Sequence, residues 1–123
     1  MPATLNRGVV VIVDDEPGFC DTVKEALEDE GYTVEVACDG RAGLDLLRRL
    51  GGPPCLLLLD LSMPVLDGHA LYRELRADPV LASTSVVIAT SDPARAPDGV
   101  PVIAKPVSLD RLIDTVRAHC GHS

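Results

Sequence analysis

The stretch VVVIVDDEPG, residues 9–18, holds the two facts from which the rest of the chain can be read. Five apolar residues, four of them valine, run without a break into Asp14, Asp15 and Glu16. An unbroken β-branched run is the pattern of a strand covered on both faces, since a half-exposed strand alternates. Pro17 suits the first position of a following helix, where its missing N–H costs nothing. The stretch therefore predicts a buried strand that enters a helix through three crowded carboxylates. Something must hold that charge.

The same strand–helix alternation continues outward. Phe19, Val23 and Leu27 recur every four residues as one helix face, and Gly31 closes it. YTVEVA (32–37) alternates as a strand. Asp39 is placed to cap a helix running to Leu50 with Leu44 and Leu47 inward, and Gly51-Gly52-Pro53-Pro54 stops it. CLLLLD (55–60) is a third strand, again apolar on both faces, and LSMPVLDG (61–68) is loop. A short helix over 68–77 turns Ala70, Leu71 and Leu75 inward and breaks at Asp78-Pro79. SVVIAT (85–90) and VPVIA (100–104) are further strands, and Ser108 caps a last helix with a Leu109, Leu112, Ile113 and Val116 stripe. Strands and helices in alternation predict an α/β fold: a doubly wound parallel sheet of five strands with helices on both faces.

Composition narrows the functions open to it. The length of 123 residues fits one domain, 1–123, without repeat or linker. Hydrophobic residues make up 46% of the chain, yet only two Tyr and one Phe are aromatic, so the core is aliphatic. No run approaches the ~20 apolar residues of a membrane span, and Met1-Pro2-Ala3 does not begin a signal peptide, so a cytoplasmic location is expected. A net charge of −8 with 11 scattered Lys and Arg argues against direct nucleic-acid binding. Cys20, Cys38, Cys55 and Cys120 show no C-x-x-C spacing and are expected to be reduced. His69, His119 and His122 have no ligand spacing and read as solvated or partly packed.

In an open parallel sheet the chemistry collects beyond the carboxyl ends of the strands. Asp14 and Asp15 end the first strand, Asp60 the third, Thr90 the fourth and Lys105 the fifth. If the first and third strands are neighbours, three carboxylates converge, and their repulsion raises at least one pKa. A divalent cation resolves this, and Mg²⁺ takes hard oxygen ligands while keeping several waters. Each residue also has a structural reading: Asp14-Asp15 as a helix-capping pair, Asp60 as a strand terminator, Thr90 as an ordinary strand residue, Lys105 as a solvated charge. Those readings would have to hold independently at four strand ends that meet in space.

Asp14-Asp15, Asp60 within LLLLDLSMPVLDG, Thr90 in VVIATSD and Lys105-Pro106 together resemble the receiver domain of two-component response regulators, across essentially the whole chain. The resemblance implies a CheY-like, flavodoxin-like sheet in the order 2-1-3-4-5. It implies that Asp60 is the phosphoacceptor for a histidine kinase or phosphotransfer protein, and that Mg²⁺ is the cofactor. Asp15 would bind the ion directly, Asp14 mainly through water, with Asp60 and the Ser62 backbone carbonyl completing the ligands. Lys105 would pair with the phosphoryl oxygens and Thr90 would move to hydrogen-bond them. Asp67-Gly68 matches the turn opening the third helix, and the Lys105-Pro106 bond is expected to be cis. Glu16 fits either an acidic neighbour of the pair or first-turn helix electrostatics. A receiver acts on no separate substrate; it catalyses only its own phosphorylation and dephosphorylation. The downstream partner stays open, as does a homodimer.

Two departures stand out. The family's switching aromatic, three residues before the lysine, is Val102, whose short β-branched side chain cannot make that swing. Thr90 and Lys105 are only 15 positions apart, and Pro93, Pro97 and Pro101 leave room for a loop or single turn where a fourth helix belongs. Two other functions compete. A haloacid-dehalogenase-like phosphatase would need a second acid two residues after Asp60, where Ser62 stands. A degenerate receiver would act as an interaction module without phosphorylation.

Overall fold

The computed structural model describes residues 8–63 and 65–120; Met1-Pro2-Ala3, Pro64 and His122 lie outside the described residues. Five parallel strands form one sheet: β1 (Val9–Val13), β2 (Thr33–Ala37), β3 (Leu56–Leu59), β4 (Val86–Thr90) and β5 (Val102–Ala104), in the order β2-β1-β3-β4-β5. The helices are α1 (Pro17–Asp29), α2 (Gly40–Arg49), α3 (Gly68–Ala77) and α4 (Leu109–Cys120). Between β4 and β5 stands only one 3₁₀ turn, Pro93–Arg95. The expected loss of a full helix there is met, because prolines at 93 and 97 bracket three residues.

The unbroken apolar runs become intelligible in the two cores. Val10, Ile12, Leu56 and Leu58 point to the side carrying α1 and α4, where Val23, Leu27, Leu112 and Val116 meet them. Val11, Val13, Leu57 and Leu59 point to the other side, against Leu44, Leu47, Leu71 and Leu75 of α2 and α3. Successive residues of a strand face opposite ways, so a strand covered twice needs an apolar residue at every position. In α1 it is Cys20 rather than Phe19 that sits fully in the core beside Val23 and Leu27; Phe19 is half-buried.

The expectation of four reduced cysteines is overturned. Cys55, just before β3, and Cys120, closing α4, form a disulfide with their Cα atoms 5.0 Å apart. The fold brings the start of a central strand under the end of the last helix, at a separation no spacing motif records. Cys20 and Cys38 are free, the first buried and the second exposed. No helix of the described residues is long and apolar enough to cross a membrane.

Candidate functional site

Backbone pairing aligns the strand ends before any side chain is considered. The Asp14 N–H donates to Ala37 O at 3.1 Å, the Asp60 N–H to Val13 O at 3.0 Å, and the Lys105 N–H to Thr90 O at 2.9 Å. Each polar residue thus sits one step beyond its strand, over the same edge of the sheet. One carboxylate oxygen from each of Asp14, Asp15 and Asp60 lies within 4.8 Å of the others. Asp14 and Asp60 are buried, while Asp15 faces solvent. The proposed convergence of the first and third strands is realised because β1 and β3 are hydrogen-bonded neighbours.

Burial dominates the electrostatics. It pushes the Asp14 carboxyl above the ordinary carboxylate value, against hydrogen bonds from Lys105 and the Glu16 N–H that favour the anion. Asp60 is raised by burial and then by the Asp14 charge, with Lys105 and a Ser62 backbone hydrogen bond opposing. Burial alone would lower the Lys105 ammonium, but hydrogen bonds to Asp14 and Glu16 outweigh it and its pKa lies above the usual lysine range.

Lys105 is oriented from three sides. Its Nζ donates to Asp14 Oδ2 at 2.8 Å and to Glu16 Oε1, and it lies 4.4 Å from the centre of the Phe19 ring. The Lys105-Pro106 peptide is cis, as the resemblance implied. Glu16, left ambiguous by the sequence, therefore faces the lysine, and Phe19 supplies an apolar platform that helical spacing alone made a core residue. Thr90 is buried with its hydroxyl accepting the Asp92 N–H at 3.1 Å. Val102 is half-buried in β5, opposite Ile88.

Gly68 allows the close approach that seats α3 over this edge. A Cβ there would lie 2.3 Å from the Asp60 carbonyl oxygen and 2.7 Å from Leu61 Cα. Asp67 caps the helix, its Oδ1 accepting the Ala70 N–H at 2.9 Å.

Residues 10–117 match the model of the response regulator receiver domain family. The chain belongs to that family. Among curated relatives, the receiver is similar to the transcriptional regulatory protein TrcR of Mycobacterium tuberculosis, 34% identical over 113 residues, a match covering 88% of this chain and 43% of that protein. It spans about half the length, or less, of the curated relatives it matches. Among solved structures it is similar to the signal receiver domain of a histidine kinase from Syntrophus aciditrophicus, with 31% identity and a TM-score of 0.79 over 93% of this chain and 90% of that one. The receiver domain of a sensor histidine kinase from Pseudomonas aeruginosa, solved with magnesium coordinated in its active site cleft, shares the fold at a TM-score of 0.83 and 23% identity, covering 94% and 98% of the two chains.

Two neighbours of the site escaped the sequence reading. His69 Nε2 lies 2.7 Å from the Arg95 carbonyl oxygen, and Arg95 Nη1 lies 3.4 Å from Ser62 Oγ. Nothing in the spacing of residues 62, 69 and 95 signals that they meet; the shortened β4–β5 connection brings them together.

Proposed function

We propose that this chain is the phosphoacceptor receiver of a two-component phosphorelay, a single unit over residues 1–123, with Asp60 taking a phosphoryl group from the phosphohistidine of a kinase or phosphotransfer protein. The observation that carries the reading is the grouping of Asp14, Asp15 and Asp60 within 4.8 Å beside the half-buried ammonium of Lys105. A hard-oxygen donor set of this kind, with two carboxyls already raised by burial, fits Mg²⁺. Asp14, Asp15, Asp60 and the Ser62 backbone carbonyl are the groups that would hold it. When bound, the ion neutralises carboxylate and phosphoryl oxygens so that one anion can approach another.

An Asp60 oxygen attacks phosphorus while the phosphorus–nitrogen bond to the donor imidazole breaks and the imidazole takes up a proton. Little covalent assistance is needed, and charge neutralisation with alignment supplies most of the rate. Lys105 provides the positive charge for the arriving phosphoryl oxygens, held in place by Asp14, Glu16 and Phe19. Thr90 turns its hydroxyl from the Asp92 N–H toward them. A groove of about 660 Å³ opens beside Lys105, walled by Phe19, Val23, Pro106, Val107 and Leu109, and gives the donor protein an apolar surface next to the acceptor.

Intact-mass spectrometry with acetyl phosphate and Mg²⁺ tests the reading. Wild type gains one labile phosphate and Asp60→Asn gains none. Turnover without accumulation would favour a phosphatase, and no added mass at all would leave the interaction-module reading.

A further inference from the structure

The segment standing in for the missing helix is tied to the site at both ends. At one end the Asp92 N–H donates to Thr90 Oγ1 at 3.1 Å, and the Arg95 N–H donates to Asp92 O at 3.1 Å. At the other, His69 of α3 holds the Arg95 carbonyl at 2.7 Å; a carbonyl only accepts, so Nε2 is the donor. The Arg95 guanidinium then reaches Ser62 Oγ at 3.4 Å, and the backbone of Ser62 in turn hydrogen-bonds the Asp60 carboxylate. Arg95 is exposed, and among the described residues its guanidinium has no carboxylate partner.

We propose that Arg95 is a second cationic ligand for the phosphoryl group on Asp60, and that its capture draws the Pro93–Arg95 turn toward the site. The inference rests on Asp60 being the acceptor. A neutral hydroxyl at 3.4 Å is a weak partner, whereas a phosphoryl group offers a planar guanidinium charge-assisted, paired hydrogen bonds. Lys105 is already shared between Asp14 and Glu16, so a phosphoryl group leaves the site short of positive charge. The same turn loses its Thr90 tether when that hydroxyl rotates inward. Two events at the site therefore act on one short segment, which supplies a readout that Val102 cannot. Order gained or lost in a segment is an established form of switch.

The test uses beryllofluoride, which attaches to an aspartate oxygen through beryllium and presents fluorines where phosphoryl oxygens would lie. Its affinity for the 123-residue chain at saturating Mg²⁺ is measured by calorimetry for wild type, Arg95→Ala, Arg95→Lys and Ser62→Ala. Arg95→Ala binds more weakly by about tenfold or more, the loss expected when even one of the paired charge-assisted hydrogen bonds is removed, and Arg95→Lys recovers part of the loss. Ser62→Ala keeps the backbone carbonyl assigned to Mg²⁺ and removes only the hydroxyl that Arg95 reaches, so it binds beryllofluoride at least as well as wild type. Mg²⁺ affinity without beryllofluoride is not weakened in Arg95→Ala. Beryllofluoride alters amide exchange at Arg95 and Ala96 in wild type but not in Arg95→Ala. Affinity within twofold of wild type for Arg95→Ala overturns the proposal, as does a parallel loss of Mg²⁺ affinity or an equal loss in Ser62→Ala, both marks of a structural tie. Wild type that binds no beryllofluoride overturns the acceptor reading and this inference with it.

Discussion

Replacing Asp60 with asparagine should make the metal-free protein more stable. Two unit charges 4.8 Å apart repel by about 3.5 kcal/mol at an effective dielectric constant of ~20. Asp60 faces two such neighbours, but Asp15 is solvent-screened and Lys105 attracts, which leaves roughly half of one pair. Asparagine also weakens the hydrogen bond from Ser62, subtracting about 0.5 kcal/mol. The net gain is about 1–2 kcal/mol, or roughly 3–8 °C in Tm for a domain of this size. The assay is a pair of thermal melts, in chelator and in millimolar Mg²⁺. Wild type rises with Mg²⁺, and Asp60→Asn starts higher but rises much less. pH gives an independent check on sign. The Asp14 and Asp60 carboxyls are raised in the folded state, so their contribution to stability is present at low pH and lost as pH climbs through their folded values. The advantage of Asp60→Asn therefore shrinks as pH falls from 7 toward the carboxylate range, because wild-type Asp60 becomes neutral. A metal-free Asp60→Asn that melts at or below wild type would refute the electrostatic argument.

Gly68→Ala forces a methyl to within 2.3 Å of the Asp60 carbonyl oxygen; α3 must shift, costing on the order of 3 kcal/mol by overpacking and displacing Asp60, the proposed acceptor, read as a lower Tm and slower labelling by acetyl phosphate. Cys55→Ser removes a crosslink between positions 65 residues apart, and the chain-entropy account gives a loss of about 4 kcal/mol as an upper bound, seen equally when wild type is melted in reductant. Of the two free thiols, Cys38 reacts promptly with a disulfide reagent in the native state, whereas Cys20, buried and with its thiol pushed up to about 12, reacts only on unfolding. Equal rates for the two would contradict the packing of α1.

The strand ends were legible because continuous apolar runs admit few structures. Leu56 to Leu59 must be covered on both faces, so Asp60 had to emerge at an edge, and the same logic located Asp14, Asp15, Thr90 and Lys105. Val102 and the prolines at 93 and 97 likewise announced a changed β4–β5 region. The supports of the site were less legible. Phe19 fits a helical apolar face as well as it fits a platform for Lys105, and periodicity does not separate those roles. Arg95 and His69 carry no pattern, since their meeting depends on the path of one irregular segment.

Local chemistry, then, was enough to set the order of strands and helices and to name the residues at the strand tips, because backbone pairing and two-sided burial act on consecutive positions. The Cys55–Cys120 bond, the clasp of Glu16 and Phe19 around Lys105, and the reach of Arg95 to Ser62 came from packing in three dimensions. Such contacts join residues far apart along the chain, and their geometry is set by how helices seat on the sheet, which no stretch of residues specifies alone.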